Sequence, residues 1–267
     1  MTPRRKVRPV AHDEMVVPEW VAARLDAPGS SHNELILQHG FSEDAITPAW
    51  WQKKLTEAGL ADEGTPAITF PSRRDDGTPV LTRGDLFTMA TALHLNNNDD
   101  AAWLPFLWHV LAWGSGTSRR NNPARIEAFS DPELRKARVE YLREAAEHVW
   151  AGDPRGAYSA LILPGKARIP RLGPAFFTKF LYFAGGGSAP ANGEVTCLIL
   201  DSRVVASLRT SGWDSLPSGN YNWYTDTYVS YCDLLHRWAR ELNTRENTRP
   251  VRPDEIERVL FEGQPTT

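Results

Sequence analysis

Cysteine is scarce in this chain of 267 residues, which contains only Cys197 and Cys232. Two cysteines are too few for a four-thiolate zinc or iron–sulfur site, and the seven histidines show no paired ligand spacing. P-loop, dinucleotide-binding and GxSxG signatures are also missing. We therefore expect no metal and no other cofactor, and we expect both thiols to lie in the core.

Long apolar runs are missing as well. No stretch approaches the roughly 20 apolar residues that span a bilayer, and the basic start MTPRRKVRPVAHDE is not followed by the apolar segment of a secretory signal. We expect a cytoplasmic monomer with no membrane partner. The net charge of −3 argues against strong nonspecific binding of polyanions. Local basic clusters do exist, and runs of charge are usually solvated faces.

The rest of the composition, 41% hydrophobic and 24% charged, is that of an ordinary globular protein. Apolar residues recur at helical spacing over most of the chain, which predicts an all-α fold. Residues 1–30 contain four prolines and one short helical stretch, Glu19 to Asp26, and are predicted to be an arm. Residues 31–267 are predicted to be one helical domain, in which residues 63–82 are mainly loop with room for a short hairpin.

Two helix boundaries carry specific predictions. Ser130 and Glu133 fit a capping box ahead of a long amphipathic helix. Gly114 and Gly116 are expected to end the apolar helix AAWLPFLWHVLAW. The polar and basic loop TSRRNNPARI follows that helix, a position where loops often carry function.

The stretch from Ile169 to Arg203 is the best candidate for the functional segment. It joins a Pro/Gly turn, an apolar helix carrying Lys179, a glycine-rich loop and an apolar run that ends on Asp201. A lysine among aromatic neighbours either extends to solvent or serves in a site, where burial would favour the neutral, nucleophilic amine. Asp201 can be the N-cap of the helix that begins at Ser202, and this capping role is compatible with a catalytic one.

A helix followed by IPRLGP and a second apolar helix resembles the helix–hairpin–helix of DNA glycosylases. In addition, LGPAFFTKFLYFAGG with the later LILDSRV is similar to a bacterial family of 8-oxoguanine DNA glycosylase-fold proteins. The resemblance implies two helical lobes around a DNA-binding groove, with the helix–hairpin–helix at about residues 155–211. It implies a catalytic Asp201, and it implies that Lys179 can attack the sugar and cleave the strand. The implied partner is double-stranded DNA carrying a modified base, either 8-oxoguanine or a modified base of phage DNA.

The position of Lys179 departs from the pattern of that superfamily. Superposing IPRLG on the usual hairpin places Ala175 where the familiar lysine stands, so Lys179 lies four residues on, one turn deeper on the same helical face. A longer hairpin could absorb this offset, or Lys179 could have another role. The sequence therefore favours excision of a base over cleavage of the strand.

The resemblance also suggests the surrounding residues. Residues expected near the DNA backbone, around the amide groups that open the hairpin helix, are Arg168, Arg171, Gly173 and Arg203. Aromatic residues expected to wall the pocket of a flipped base are Trp113, Phe177, Trp213 and Trp223. Two alternatives stay open: a hairpin DNA-binding module in which Asp201 is only a cap, and a helical protein-interaction factor with no role on DNA.

Overall fold

The computed structural model describes residues 15–62, 64–96, 99–162, 169–186, 196–213, 223–245 and 249–264. Within these ranges the protein is mostly helical, which confirms the predicted fold class. The α-helices are α1 Glu19–Leu25, α2 Glu43–Ile46, α3 Pro48–Glu57, α4 Arg83–Leu95, α5 Asp100–Ser115, α6 Asn122–Glu127, α7 Pro132–Trp150, α8 Pro154–Ile162, α9 Pro174–Ala184, α10 Ser202–Thr210, α11 Thr225–Asn243 and α12 Pro253–Glu262. A π-helix spans Asn33–Leu37. None of the helices in these ranges has the length and apolar character needed to cross a membrane.

Helix α9 lies at the centre of the fold. Every residue from Phe177 to Ala184 is buried, and the helix packs against α4, α5, α7 and α8. A helix that is apolar on all sides is stable only inside a protein, because no face of it is suited to water. Lys179 is therefore carried by an enclosed helix.

Helix α5 packs on α9 and is longer than predicted. It runs to Ser115, so Gly114 lies inside the helix, and the prediction that Gly114 ends it is wrong. Gly116 is the C-cap, with a φ of 49° that a residue with a side chain rarely adopts. The position of Gly114 inside the helix is explained by its close contact with α9, which is described with the site.

The N-terminus of α7 also differs from the prediction. Asp131, not Ser130, is the N-cap, and its Oδ1 accepts hydrogen bonds from the backbone N–H groups of Glu133 at 2.9 Å and Leu134 at 3.1 Å. A carboxylate caps as well as a hydroxyl and adds a negative charge next to the positive end of the helix dipole. Pro132 at the first helical position fixes the start of the helix there.

A small antiparallel sheet accounts for the predicted hairpin. Its strands are β1 Gly40–Ser42, β2 Ser72–Arg73 and β3 Pro79–Thr82, in the order β1-β3-β2. Phe41 lies opposite Leu81 in the register. The last residue of β3, Thr82, caps α4 in a reciprocal capping box with Asp85.

The C-terminal helices close the fold around the same centre. Helix α12 packs on α10 and α11, and the short helix α1 packs on α12. Helix α12 ends at Glu262, and its C-cap is Gly263, where φ is 84°. The division into an arm of residues 1–30 and a domain of residues 31–267 stays a prediction.

Candidate active site

The apolar run before Asp201 is held in place by hydroxyl groups. Residues 197–200 are almost fully buried without forming a strand, so their backbone groups need partners outside regular secondary structure. Side chains of α9 and α11 supply these partners. The bonds are Leu200 N–H to Thr178 Oγ1 at 3.1 Å, Leu198 N–H to Tyr228 Oη at 3.2 Å, Tyr228 Oη–H to Leu198 O at 3.0 Å and Tyr231 Oη–H to Ile199 O at 2.7 Å.

Replacing Thr178 by valine should test this arrangement. The shape is kept, but the buried Leu200 N–H loses its acceptor, which costs about 1–3 kcal/mol of the free energy of unfolding. Urea unfolding measures the loss. Thr88→Val is the matched control, since the exposed Thr88 hydroxyl also donates to the carbonyl four residues before it, Gly84 O, but accepts no buried N–H. Equal stability of the two variants would show that the hydroxyl of Thr178 does not hold the segment.

Asp201 has two separate tasks at the start of α10. Its Oδ1 accepts hydrogen bonds from the N–H groups of Arg203 at 3.0 Å and Val204 at 3.2 Å, so it is the predicted N-cap. Its Oδ2 lies 3.3 Å from Nζ of Lys179. Asp201 is 8% exposed and Lys179 is 6% exposed, so the pair is largely removed from water.

The side chain of Lys179 runs back along α9 towards the hairpin. Its amine donates to the carbonyl oxygen of Ala175 at 2.8 Å. This direction is expected, because side chains on an α-helix tilt towards its N-terminus. The amine therefore lies on the N-terminal side of its own Cα, next to the carbonyl oxygen of the residue at which the sequence comparison places the lysine of the superfamily. The one-turn offset remains, because a lysine at position 175 would extend towards the N-terminus by the same amount.

Gly114 makes room for this lysine. A Cβ atom at position 114 would lie 2.8 Å from Cδ of Lys179 and 3.7 Å from Cδ1 of Phe176. Real Cβ atoms do not approach carbon so closely, so a larger residue would displace the lysine stem. The glycine inside α5 is therefore explained by the close packing of α5 on the side chains of α9.

Helix α9 and the N-cap of α10 thus bring Lys179 and Asp201 together. The profile of the family described as "Putative 8-oxoguanine DNA glycosylase OGG-like protein" matches residues 34–261, which is more than half of the chain. The chain belongs to this family. Searches of curated proteins and of solved structures gave no match.

The turn that precedes α9 in this family member is a strained one. Gly173 is the N-cap of α9, Pro174 is its first residue, and Arg171 has a φ of 62°. The backbone of a non-glycine residue adopts that conformation only at an energetic cost, which surrounding contacts must offset. Arg171 is exposed, and no atom of the described residues lies within 4 Å of the position that a Cβ atom would take at Gly173. An approaching ligand therefore has access to the first turn of α9.

Arg125 supports this turn from helix α6, which lies where the sequence predicted a basic loop. It is 3% exposed, its Nε donates to the carbonyl oxygen of Arg171 at 2.9 Å, and its guanidinium lies 3.5 Å from the ring centre of Phe176. Burial lowers the pKa of Arg125 to about 10, so it stays charged at neutral pH. In the described ranges no carboxylate pairs with it. The turn thus has a fixed positive charge behind it.

The other residues predicted to lie near the DNA backbone have different surroundings. Arg203 is exposed at the start of α10, two residues after Asp201, and its guanidinium lies 4.3 Å from the ring centre of Phe261. Arg168 lies outside the described residues. The contacts of all four candidates with DNA stay a prediction.

The aromatic residues predicted to form a base pocket are all buried. Trp113 precedes Gly114 and contacts Phe183 edge-on, with ring centres 5.0 Å apart. Phe177 contacts Tyr158 at 4.8 Å. Trp213 and Trp223 are 1% and 0% exposed, so packing does account for these two residues despite their position in loops. Their role in a base pocket stays a prediction, and Trp113 is the member adjacent in sequence to the glycine that contacts Lys179.

The described residues contain no cluster of three histidine, cysteine or acidic side chains that could hold a metal ion. Both cysteines are buried and free, as predicted. Burial raises the pKa of Cys232 to about 12 and that of Cys197 well above its usual value. Neither thiol is therefore a ready nucleophile.

Proposed function

We propose that the protein is a DNA N-glycosylase that flips a modified base out of double-stranded DNA and excises it, with Asp201 and Lys179 at the reacting sugar. The observation that carries this proposal is the 3.3 Å pair between Lys179 Nζ and Asp201 Oδ2, buried where α9 meets α10. Membership of the 8-oxoguanine glycosylase-like family supports the reaction class. We also propose that the protein acts as a monomer in the cytoplasm.

The carboxylate is suited to the charge that the reaction generates. When the bond between the base and C1′ breaks, the base leaves with the electron pair and the sugar becomes cation-like. Asp201 Oδ2 would stabilise this charge, and the low polarity of the site strengthens the effect. The carboxylate is held in advance, because Oδ1 is fixed by two backbone N–H groups of α10.

Lys179 decides between two outcomes. If the neutral amine attacks C1′ as the base leaves with the electron pair, a C–N bond replaces the glycosidic bond and the amine loses a proton. The C1′–O4′ bond then breaks, O4′ takes up a proton, and a protonated imine links protein and DNA. Loss of a proton from C2′ then expels the 3′ phosphate and cleaves the strand. If water attacks instead, the product is an abasic site. The amine lies beside Asp201 and therefore within reach of the same carbon, so we propose a combined glycosylase and lyase.

The hairpin and its arginines would hold the DNA backbone. In this proposal the first turn of α9, the charge of Arg125 behind it and the exposed side chains of Arg171 and Arg203 would together attract the backbone. Phosphate groups bind at such helix N-termini. We propose that Arg168 also binds the DNA backbone, on the basis of the sequence alone.

The decisive experiment uses duplexes that each contain one modified base. 8-Oxoguanine is the first substrate to test, and hydroxymethylated or glucosylated cytosine of the kind found in phage DNA is the alternative. Strand breaks after alkali report base excision, and breaks without alkali report lyase activity. If the protein binds every duplex but no break appears after alkali, the proposed enzymatic activity is contradicted. A hairpin DNA-binding module is then the remaining interpretation.

Gly114→Ala should separate activity from stability. The added methyl group pushes against Cδ of Lys179, so the amine leaves its place beside Asp201 and excision should fall at least tenfold. Alanine in a helix is intrinsically more stable than glycine by about 1 kcal/mol. This gain opposes the cost of pushing Lys179 aside, so the free energy of unfolding should change little. Single-turnover excision rates and urea unfolding measure the two effects. Gly114→Val should lose more activity, and full activity of the alanine variant would contradict the packing argument.

A further inference from the structure

Unsatisfied polar atoms gather in one buried region of the described protein. Arg83, Trp113 and Glu257 are 1%, 4% and 0% exposed, and Arg83 Nε, Trp113 Nε1 and Glu257 Oε1 have no hydrogen-bond partner. A buried polar atom without a partner costs about 1–3 kcal/mol, so native proteins contain few of them. Several such atoms close together indicate that their hydrogen-bonding groups are available to a ligand.

Arg83 contacts both of the other side chains, although the three come from different elements. Arg83, the first residue of α4, donates through Nη1 to Glu257 Oε2 on α12 at 3.0 Å. Its guanidinium carbon lies 5.2 Å from the ring centre of Trp113 on α5. The ring of His39 lies 5.3 Å from Trp113, and its Nδ1 is also without a partner. We call Arg83, Trp113 and Glu257 the polar cluster.

The polar cluster adjoins the candidate active site. Trp113 is next to Gly114, which contacts the stem of Lys179. Phe261 lies one helical turn beyond Glu257 on α12 and is covered by Arg203, which lies in α10 two residues after Asp201. Burial raises the pKa of Glu257, Arg83 opposes the rise, and the carboxylate of Asp201 adds to it.

We propose that the polar cluster recognises the flipped base through a lactam edge, a ring N–H next to a carbonyl group. This inference rests on the proposed glycosylase function. A carbonyl oxygen has two lone pairs and can accept from both Arg83 Nε–H and Trp113 Nε1–H, whereas a ring nitrogen has one. Glu257 Oε1 accepts the N–H beside that carbonyl.

This chemistry favours some bases over others. Guanine-type bases carry a lactam edge, and 8-oxoguanine carries a second one on its five-membered ring. Adenine-type and cytosine-type bases that offer a ring nitrogen beside an amine fit the two donors less well. The polar cluster is enclosed in the free protein, so the base must displace neighbouring side chains as it enters.

The test compares two tryptophans of the same helix. Trp113→Phe removes the unpaired indole N–H and keeps an aromatic ring. Trp108→Phe is the matched control, because Trp108 is also buried and its Nε1 also has no partner, but it packs on Phe129 away from Arg83. Excision of 8-oxoguanine should fall about tenfold in the Trp113 variant, the equivalent of one hydrogen bond. The Trp108 variant should keep the rate of the wild type.

A second measurement is independent of catalysis. The indole N–H signals of Asp201→Asn protein labelled with ¹⁵N-tryptophan are recorded with duplexes containing 8-oxoguanine, guanine or N6-methyladenine. The Trp113 signal, assigned from its loss in Trp113→Phe, should move downfield with the 8-oxoguanine duplex, while the Trp108 signal stays in place. If the wild type excises the base and the Trp113 signal does not move, the polar cluster is not the recognition site. If the signal moves but no base is excised, the recognition site stands and the glycosylase proposal fails. Equal losses of activity in both tryptophan variants would also overturn the inference.

Discussion

Asp201→Asn should abolish base excision while leaving the fold and DNA binding in place. Asparagine caps helices as well as aspartate does, so its side-chain oxygen can still accept from the N–H groups of Arg203 and Val204. The negative charge that faces Lys179 and the reacting sugar is lost. Electrostatic groups of this kind contribute about 10²- to 10³-fold to the rates of enzymes. We expect a loss of at least this size in the single-turnover excision rate.

The control for this variant is another capping aspartate. Asp131 caps α7 with the same geometry, accepting from two consecutive backbone N–H groups through Oδ1, but it is exposed. Asp131→Asn should therefore keep full activity. Urea unfolding should place both variants close to the wild type, and a duplex-binding assay should show unchanged affinity for Asp201→Asn. If the Asp201→Asn protein excises its base at the wild-type rate, Asp201 acts only as the N-cap of α10.

The parts of the site that follow local rules were predictable from the sequence. The apolar run ending on Asp201 and the helix that begins at Ser202 are adjacent in the chain, so the N-cap follows from short-range signals. The start of α9 at Gly173 and Pro174 follows in the same way. The predicted capping box at Ser130 failed, because Asp131 competes for the same amide groups and only the backbone conformation decides between them.

The parts that depend on packing between distant segments were not predictable. The sequence predicts a helix end at Gly114, because no local signal explains a glycine inside a helix. The reason lies 65 positions further along the chain, in the stem of Lys179. The sequence predicts that Trp213 and Trp223 wall a base pocket, and it gives no sign that both side chains are almost fully buried. The polar cluster joins residues 83, 113 and 257, which no sequence period connects.

Lys179→Gln should abolish strand cleavage and borohydride trapping while some base excision remains. The amide cannot form an imine with C1′, so neither the covalent intermediate nor the elimination that follows it is available. Water can still attack the sugar cation, and Asp201 can still stabilise it. The expected product is therefore an abasic site, seen as breaks that appear only after alkali. Lys136→Gln, a change of the same kind on the exposed face of α7, should leave both activities unchanged.

The same variant tests how the offset of Lys179 should be interpreted. The side chain of Lys179 reaches back along α9, and its amine donates to the Ala175 carbonyl at 2.8 Å. If that reach makes it the nucleophile, the wild type must cross-link to DNA on borohydride treatment and Lys179→Gln must not. A wild type that excises the base but never cross-links would mean that Lys179 only holds Asp201 in place. In that case Lys179→Arg, which keeps the charge, should restore excision, whereas a nucleophilic lysine cannot be replaced by arginine.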